Sequence, residues 1–159
     1  MKGGMLGFLG FFFAGLFAIA PLAGAQHGHG GEEKDKAMKT DTKEILVDGI
    51  KITFMVMAND EHKKMLKDMK MKEVVESGTT HNVTLTLKDP HGKDVTDAQI
   101  HMKVIDPQGK DQIKPMKYED MMKSYDAYFN LAEKGKYQIL VLVKTGDQKR
   151  TAGIYYDVK

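Results

Sequence analysis

Methionine and histidine are the side chains in this sequence whose chemistry stands out. The chain contains twelve methionines and six histidines but no cysteine, so a disulfide, a thiolate ligand and a thiol nucleophile are all excluded. Thioether sulphur selects soft Cu(I), and imidazole binds copper in either oxidation state. The chemistry that this composition favours is therefore metal binding without thiolates.

Five of these side chains are candidate metal ligands, because the strand pattern places them at outward or loop positions. Three methionines follow an M-x-x-x-x-M-M spacing, and their side chains could meet around one loop. Methionine also fills irregular gaps in hydrophobic cores, so each methionine has a packing interpretation beside the metal interpretation. The candidates are His81, His101, Met116, Met121 and Met122.

A second, weaker candidate lies in the glycine-rich and charged segment 26–42. His27 and His29 flank a glycine there, and two imidazoles on a flexible segment can chelate copper, nickel or zinc weakly. The tight amino-terminal copper geometry needs histidine at the third position, whereas cleavage after Ala25 would place these histidines second and fourth. The alternative interpretation is a disordered, solvated leader.

Residues 1–25 have the pattern of a secretory signal peptide. Lys2 precedes an apolar run over 5–20, Pro21 breaks the run, and an A-x-A site ends at Ala25. We therefore expect cleavage near Ala25 and a secreted protein. A bacterial periplasm or cell envelope is the expected location, because secretion without disulfides is more typical there. The alternative is an uncleaved membrane anchor, since the apolar run approaches the length of a spanning helix.

The remaining residues, 43–159, alternate between apolar and polar side chains in many short runs. Two such runs around a Pro/Gly turn dominate 81–107 and predict two half-buried strands, paired as a hairpin or lying as neighbours. Pro115 predicts an edge strand over 112–118. The continuous apolar run 137–144 predicts a strand that is central or covered on both sides. Seven or eight short strands predict a mainly β fold, an antiparallel β-sandwich.

One helix is predicted between strands, over 59–76 and most clearly over 60–76. Asn59 supplies an N-cap, and neither glycine nor proline follows until Gly78. Lysine and methionine also tolerate an extended chain, so the run MKMKEVVE at 69–76 has an extended alternative. The helical spacing predicts a face that packs on a sheet, in preference to a ligand set; its residues are His62, Met65, Leu66 and Met69.

Three local features carry a likeness to a known family. They are the run NVTLTLKD at 82–89, the Met121-Met122 loop and the Gly135-Lys136-Tyr137 entry into the long apolar strand. With the order of the strands over 79–158, this pattern resembles the YtkA-like family of small secreted bacterial domains. The resemblance implies an immunoglobulin-like β-sandwich. Some relatives act near copper handling and respiratory-oxidase assembly, so it also implies copper as a bound metal.

Several function classes find no support in the sequence. The net charge is only +2 with scattered charges, which does not indicate nucleic-acid binding. There is no G-x-S-x-G, H-E-x-x-H or phosphate-loop motif, so neither an enzyme nor a small-molecule substrate is predicted. We predict a secreted domain that binds or traffics copper through methionine and histidine. The alternative is a metal-free structural or interaction domain that docks on an envelope membrane protein; the oligomeric state is open.

Overall fold

The structure is a computed structural model that describes residues 40–72 and 74–159. The predicted signal peptide and the leader histidines His27 and His29 lie outside the described residues. Within the described ranges, no helix has the length and apolar content to span a membrane.

The described residues form nine strands, arranged in two antiparallel sheets, and one helix. Sheet A has the strand order β1-β2-β3-β7-β6, and sheet B has the order β5-β4-β8-β9. The predicted antiparallel β-sandwich with one helical insert is therefore confirmed, with nine strands in place of seven or eight. The elements are β1 Thr40–Val47, β2 Ile50–Ala58, α1 Asn59–Asp68, β3 His81–Lys88, β4 Gln99–Ile105, β5 Asp111–Pro115, β6 Lys117–Glu119, β7 Ser124–Phe129, β8 Gly135–Thr145 and β9 Gln148–Val158.

The core lies between the two sheets and is built from alternate residues of each strand. In β8, for example, Tyr137, Ile139, Val141 and Val143 are at most 2% exposed, and burying such side chains supplies most of the favourable free energy of folding. The Tyr137 hydroxyl also donates to the Glu133 carbonyl oxygen at 2.9 Å and accepts from the Glu133 N–H at 3.0 Å. This is the tyrosine corner found in many sandwich folds.

The hairpin predicted over 81–107 is wrong, because its two strands belong to different sheets. β3 pairs with β2 and β7 in sheet A, whereas β4 pairs with β5 and β8 in sheet B. The chain between them crosses from one sheet to the other, so the two inward faces meet across the core. Alternation shows which face of a strand is buried, but it does not identify the strand's partner.

Two other strand predictions are correct in part. Pro115 does lie on an edge strand, but the predicted strand 112–118 is divided: β5 is at the edge of sheet B and β6 at the edge of sheet A. Met116 lies at this change of sheet and is buried. β8 is interior to sheet B, as predicted, yet its outer face is not covered by the described part of the chain, since Leu140 is 39% and Leu142 40% exposed.

The helix α1 packs on the outer face of sheet A, against β2 and β3. His62 and Leu66 of this helix are buried against the sheet, which agrees with the packing interpretation, whereas Met69 of the same predicted face is 44% exposed. The helix ends earlier than predicted because Lys70 adopts a left-handed conformation, with φ of 55°. The Met71 N–H then bonds to the Leu66 carbonyl at 2.8 Å, as in a Schellman C-cap.

Candidate functional site

The structure does not bring the five predicted metal ligands to one place. His101 is exposed on the outer face of sheet B, whereas Met116 is 7% exposed and belongs to the core between the sheets. The outward position predicted for Met116 is therefore wrong, because the change of sheet after Pro115 turns it inward. Met121 and Met122 lie together in the loop between β6 and β7, which Glu119 and Ser124 close as a strand pair.

His81 is half-buried at the start of β3, so it is not an outward residue either. Its ring packs edge-on against Tyr156 with the ring centroids 5.9 Å apart. Its Nδ1 lies 2.9 Å from the Thr80 hydroxyl, and burial lowers the pKa of its imidazole below the usual 6.5. These contacts give His81 a packing role at the end of the sandwich.

Met121 and Met122 line a cleft of about 820 Å³ on the outer side of sheet A. Its floor is formed by β7, with Asp126 and Tyr128. One wall is formed by α1 with residues 70–72 and 74–76, and the other by β6 and the methionine loop. The side chains that matter chemically are His62, Met71, Met121, Met122, Asp126 and Tyr128. The cleft therefore joins the predicted loop methionines to an imidazole and to a further thioether.

The hydrogen bonds of His62 define its tautomer. Its Nδ1 lies 2.9 Å from the Tyr128 hydroxyl oxygen, and that hydroxyl lies 2.8 Å from the Val74 carbonyl oxygen. A carbonyl oxygen only accepts, so the hydroxyl proton points to Val74 and the hydroxyl oxygen accepts from His62 Nδ1–H. The neutral ring then carries its lone pair on Nε2, which is buried and has no hydrogen-bond partner among the described residues.

Burial also shifts the ionisation of the groups around the cleft. It lowers the pKa of His62 below 6.5, so the ring is neutral at pH 7. It raises the pKa of Tyr128 to about 12, so the phenol keeps the proton that it donates. It raises the pKa of Asp126, although the Asn82 amide partly offsets this by donating to that carboxylate at 3.2 Å.

The cleft combines donors that suit a soft metal ion. A neutral imidazole nitrogen and the thioethers of Met71, Met121 and Met122 are the ligand types that select Cu(I). Across 40–72 and 74–159, no group of three or more histidine and carboxylate side chains could hold a metal. The thioethers are thus the feature that makes this cleft a candidate metal site.

Sequence reasoning found the loop methionines but missed His62 and Met71. His62 lies on a helical apolar stripe, where a histidine is usually a packed residue, and Met71 lies after the helix end, in the segment whose conformation the sequence left open. The sequence signal for both is the run HKKMLKDMKM at 62–71, in which histidine and methionine recur together in a lysine-rich segment.

Comparisons with known proteins bear on the fold. The sequence matches no protein-family profile and no curated protein. A DUF4426 family protein from Pseudomonas aeruginosa PAO1 has a similar structure, with 14% identity and a TM-score of 0.55 over 74% of this chain and 94% of that one. The fold is a small antiparallel β-sandwich. The YtkA-like resemblance is supported only at this level.

FetP from uropathogenic Escherichia coli is also similar in structure. One structure is of FetP as isolated after recombinant expression in the E. coli periplasm. It is 6% identical to this chain, with a TM-score of 0.56 over 76% of this chain and 96% of FetP. A copper-bound variant of FetP is likewise 6% identical, with a TM-score of 0.57 over 75% of this chain and 97% of the variant. At this identity the likeness concerns the fold alone.

Acidification is expected to destabilise the folded protein through the buried His62 and the half-buried His81. Burial lowers the pKa of His62 and of His81 in the folded protein. Below pH 6.5 these two histidines therefore bind more protons in the unfolded chain than in the folded one. The free energy of unfolding should therefore fall below pH 6.5, by up to about 1.4 kcal/mol per pH unit per histidine. The raised pKa of Asp126 has the opposite effect, as the carboxyl protonates on acidification.

Urea denaturation between about pH 7.5 and pH 5.5 measures this dependence. The same series on His62→Leu should show a smaller slope, because the contribution of His62 is lost while those of His81 and Asp126 remain. An equal slope in the two proteins would contradict a buried, neutral His62.

Proposed function

We propose that the protein is a non-enzymatic copper-binding domain that holds Cu(I) in the cleft between α1 and β7. The ligands would be His62 Nε2 and thioethers of Met71, Met121 and Met122. The observation that carries the proposal is the buried Nε2, which has no partner in the described part of the chain, on a residue that lines the same cleft as three methionines.

The free energy of leaving Nε2 unsatisfied supports this proposal. A buried polar atom without a partner costs about 1–3 kcal/mol, and proteins commonly retain such costs at functional sites. The opposite ring nitrogen donates to Tyr128, as metal-binding histidines usually donate their second N–H to a fixed acceptor. His62 thus has the tautomer and the second hydrogen bond of a metal-binding histidine, and copper binding would require its buried Nε2 to open towards the cleft.

The exposure of the methionines suits transfer as well as binding. Met121 is 71% exposed, whereas Met122 and Met71 are half-buried. A partner can therefore reach one thioether while the others stay inside the cleft. We propose that copper enters and leaves through Met121 and passes to an envelope membrane protein. The signal-peptide pattern supports a periplasmic location, as does the structural likeness to FetP, which was expressed in the periplasm.

Titration of residues 26–159 with Cu(I) against a competing Cu(I) chelator tests the proposal. We expect one bound Cu(I) per chain. At a free concentration of 100 times Kd, the stabilisation is about 2.7 kcal/mol, which raises Tm by about 10 °C for a domain of this size. Zn(II) and Ni(II) should leave Tm unchanged. Absence of Cu(I) binding at micromolar concentration would reject the proposal.

A second candidate function is a protein-interaction domain without a metal. The outer face of sheet B favours it, because Ile113, Leu140, Leu142 and Tyr155 expose 39–61% of their surface there, and exposed apolar patches often mark binding surfaces. The proposed partner is again an envelope membrane protein. The melting experiment separates the two functions, because a metal-free interaction domain would show no rise in Tm with Cu(I). The metal-free protein would instead co-purify with an envelope membrane protein.

A further inference from the structure

We infer that Tyr128 is a positioning residue of the proposed copper site: its hydroxyl holds His62 in the tautomer that presents an unprotonated Nε2, and it also fixes the segment that carries Met71. The inference rests on the proposed function, which names the copper ligands. It adds the residue that orients two of them, His62 and Met71. Tyr128 itself is not assigned as a ligand.

The first role follows from the single proton of the phenol. The Tyr128 hydroxyl lies within hydrogen-bond distance of His62 Nδ1 at 2.9 Å and of the Val74 carbonyl at 2.8 Å. If the phenol donated to Nδ1, its oxygen would face the Val74 carbonyl oxygen with no proton between them, which is repulsive. The arrangement is favourable only when Nδ1 carries the proton, and the tautomer of a histidine is set by such a bond.

The second role follows from how residues 74–76 of the same cleft wall are held. The Val74 side chain is 59% exposed, so at this point the backbone bond to Tyr128 attaches the segment, and side-chain packing contributes little. Two residues later, Glu76 pairs with Lys114 at 2.6 Å, and the same ammonium donates to the Tyr128 carbonyl at 2.7 Å. Two attachments of this cleft wall, at the Val74 carbonyl and the Glu76 carboxylate, therefore lead to Tyr128, while the Thr79 hydroxyl holds the Glu76 carbonyl at 2.6 Å.

The two roles together explain how ligands from distant parts of the chain stay in one cleft. Met71 is fixed at one end by its N–H bond to Leu66, and the chain three residues later is fixed by the Tyr128 hydroxyl. Removing the hydroxyl would free the Val74 carbonyl from β7. It would also remove the acceptor of Nδ1–H, so the proton of the neutral His62 ring could lie on either nitrogen. The cost should appear in copper affinity and in the His62 tautomer.

Tyr128→Phe in the protein of residues 26–159 tests the inference. We expect Cu(I) affinity to fall about 10- to 100-fold, the usual effect of removing the partner of a metal-binding histidine. In the metal-free protein, the ring ¹⁵N shifts should report Nδ1–H in the wild type and a mixture of tautomers in the variant. A role limited to stability would not change the tautomer.

Tyr125→Phe is the matched control. Its hydroxyl is also buried, accepts from the Ala98 N–H at 2.9 Å and donates to the Val95 carbonyl at 3.1 Å, but it does not line the cleft. This variant should lower Tm while leaving both the His62 tautomer and the Cu(I) affinity unchanged.

Two results would overturn the inference, and both differ from failure of the proposed function. One is wild-type Cu(I) affinity in Tyr128→Phe. The other is Nε2–H on His62 in the metal-free wild type, which can be read even if the variant does not fold. If the wild type binds no Cu(I), the proposed function fails, and the tautomer measurement alone then decides whether Tyr128 orients His62.

Discussion

Replacing His62 by leucine is expected to abolish tight Cu(I) binding without destabilising the metal-free protein. Leucine retains most of the buried volume of a side chain that is 2% exposed, and it removes an Nε2 that has no partner among the described residues. Removing that atom recovers about 1–3 kcal/mol, while the lost bond to Tyr128 costs about 0.5–1.5 kcal/mol. The free energy of unfolding should thus stay level or rise slightly.

The copper affinity of the same variant should fall at least about 100-fold, or about 2.7 kcal/mol, because a coordinating nitrogen is lost. Chelator competition measures the affinity, and urea denaturation of metal-free protein measures the stability. A gain in stability with a loss of binding is typical of a residue kept for function.

His81→Leu is the matched control for this substitution. His81 is also partly buried with a lowered pKa, but it packs against Tyr156 at the end of the sandwich. Its replacement should leave Cu(I) affinity unchanged. If His81→Leu lost copper and His62→Leu kept it, the site would lie at that end of the sandwich and the cleft assignment would be wrong.

Two methionines five positions apart are expected to respond in opposite ways to alanine substitution. Met116 is 7% exposed and packs in the core, so Met116→Ala should cost about 2–5 kcal/mol of unfolding free energy. Met121 is 71% exposed, so Met121→Ala should change stability by no more than about 0.5 kcal/mol.

Copper affinity should show the reverse pattern. Met121→Ala removes a proposed ligand and should weaken Cu(I) binding about tenfold, or about 1.4 kcal/mol. Met116→Ala should bind copper normally once the folded fraction is taken into account. Urea denaturation measures the stability of the two variants, and chelator competition measures their Cu(I) affinity. Weaker copper binding by folded Met116→Ala would indicate that Met116 is a ligand.

The secondary structure was largely predictable, because burial of one face imposes a period of two on a strand. The inward residues Val83, Leu85 and Met102 follow this period and are fully buried. Strand pairing was not predictable in the same way, since the partners of β3 and β4 are set by contacts between distant residues. The change of sheet at Met116 was not predicted either: the apolar positions change parity between Ile113 and Met116, but this change does not show that the chain enters the other sheet.

The candidate site was predictable only where it is local in sequence. Met121 and Met122 are adjacent in one loop, so their association required no knowledge of the fold. His62 lines the same cleft as these methionines only because α1 lies on the outer face of sheet A and β6 pairs with β7 at an edge of that sheet. The helical period of His62 and Leu66 reports burial, but a buried ligand and a buried packing residue produce the same period.

The crossing of the chain between β3 and β4 has a kinetic consequence. β1–β2 and β8–β9 are local hairpins, which form in about 1–10 μs. β3 has no such local partner on its other side: it must find β7, and the side-chain bond from Asn82 to Asp126 spans 44 residues. Closing a loop of that length slows folding. Because β7 is the floor of the cleft, we expect the proposed copper site to be complete only once this long-range pairing has formed.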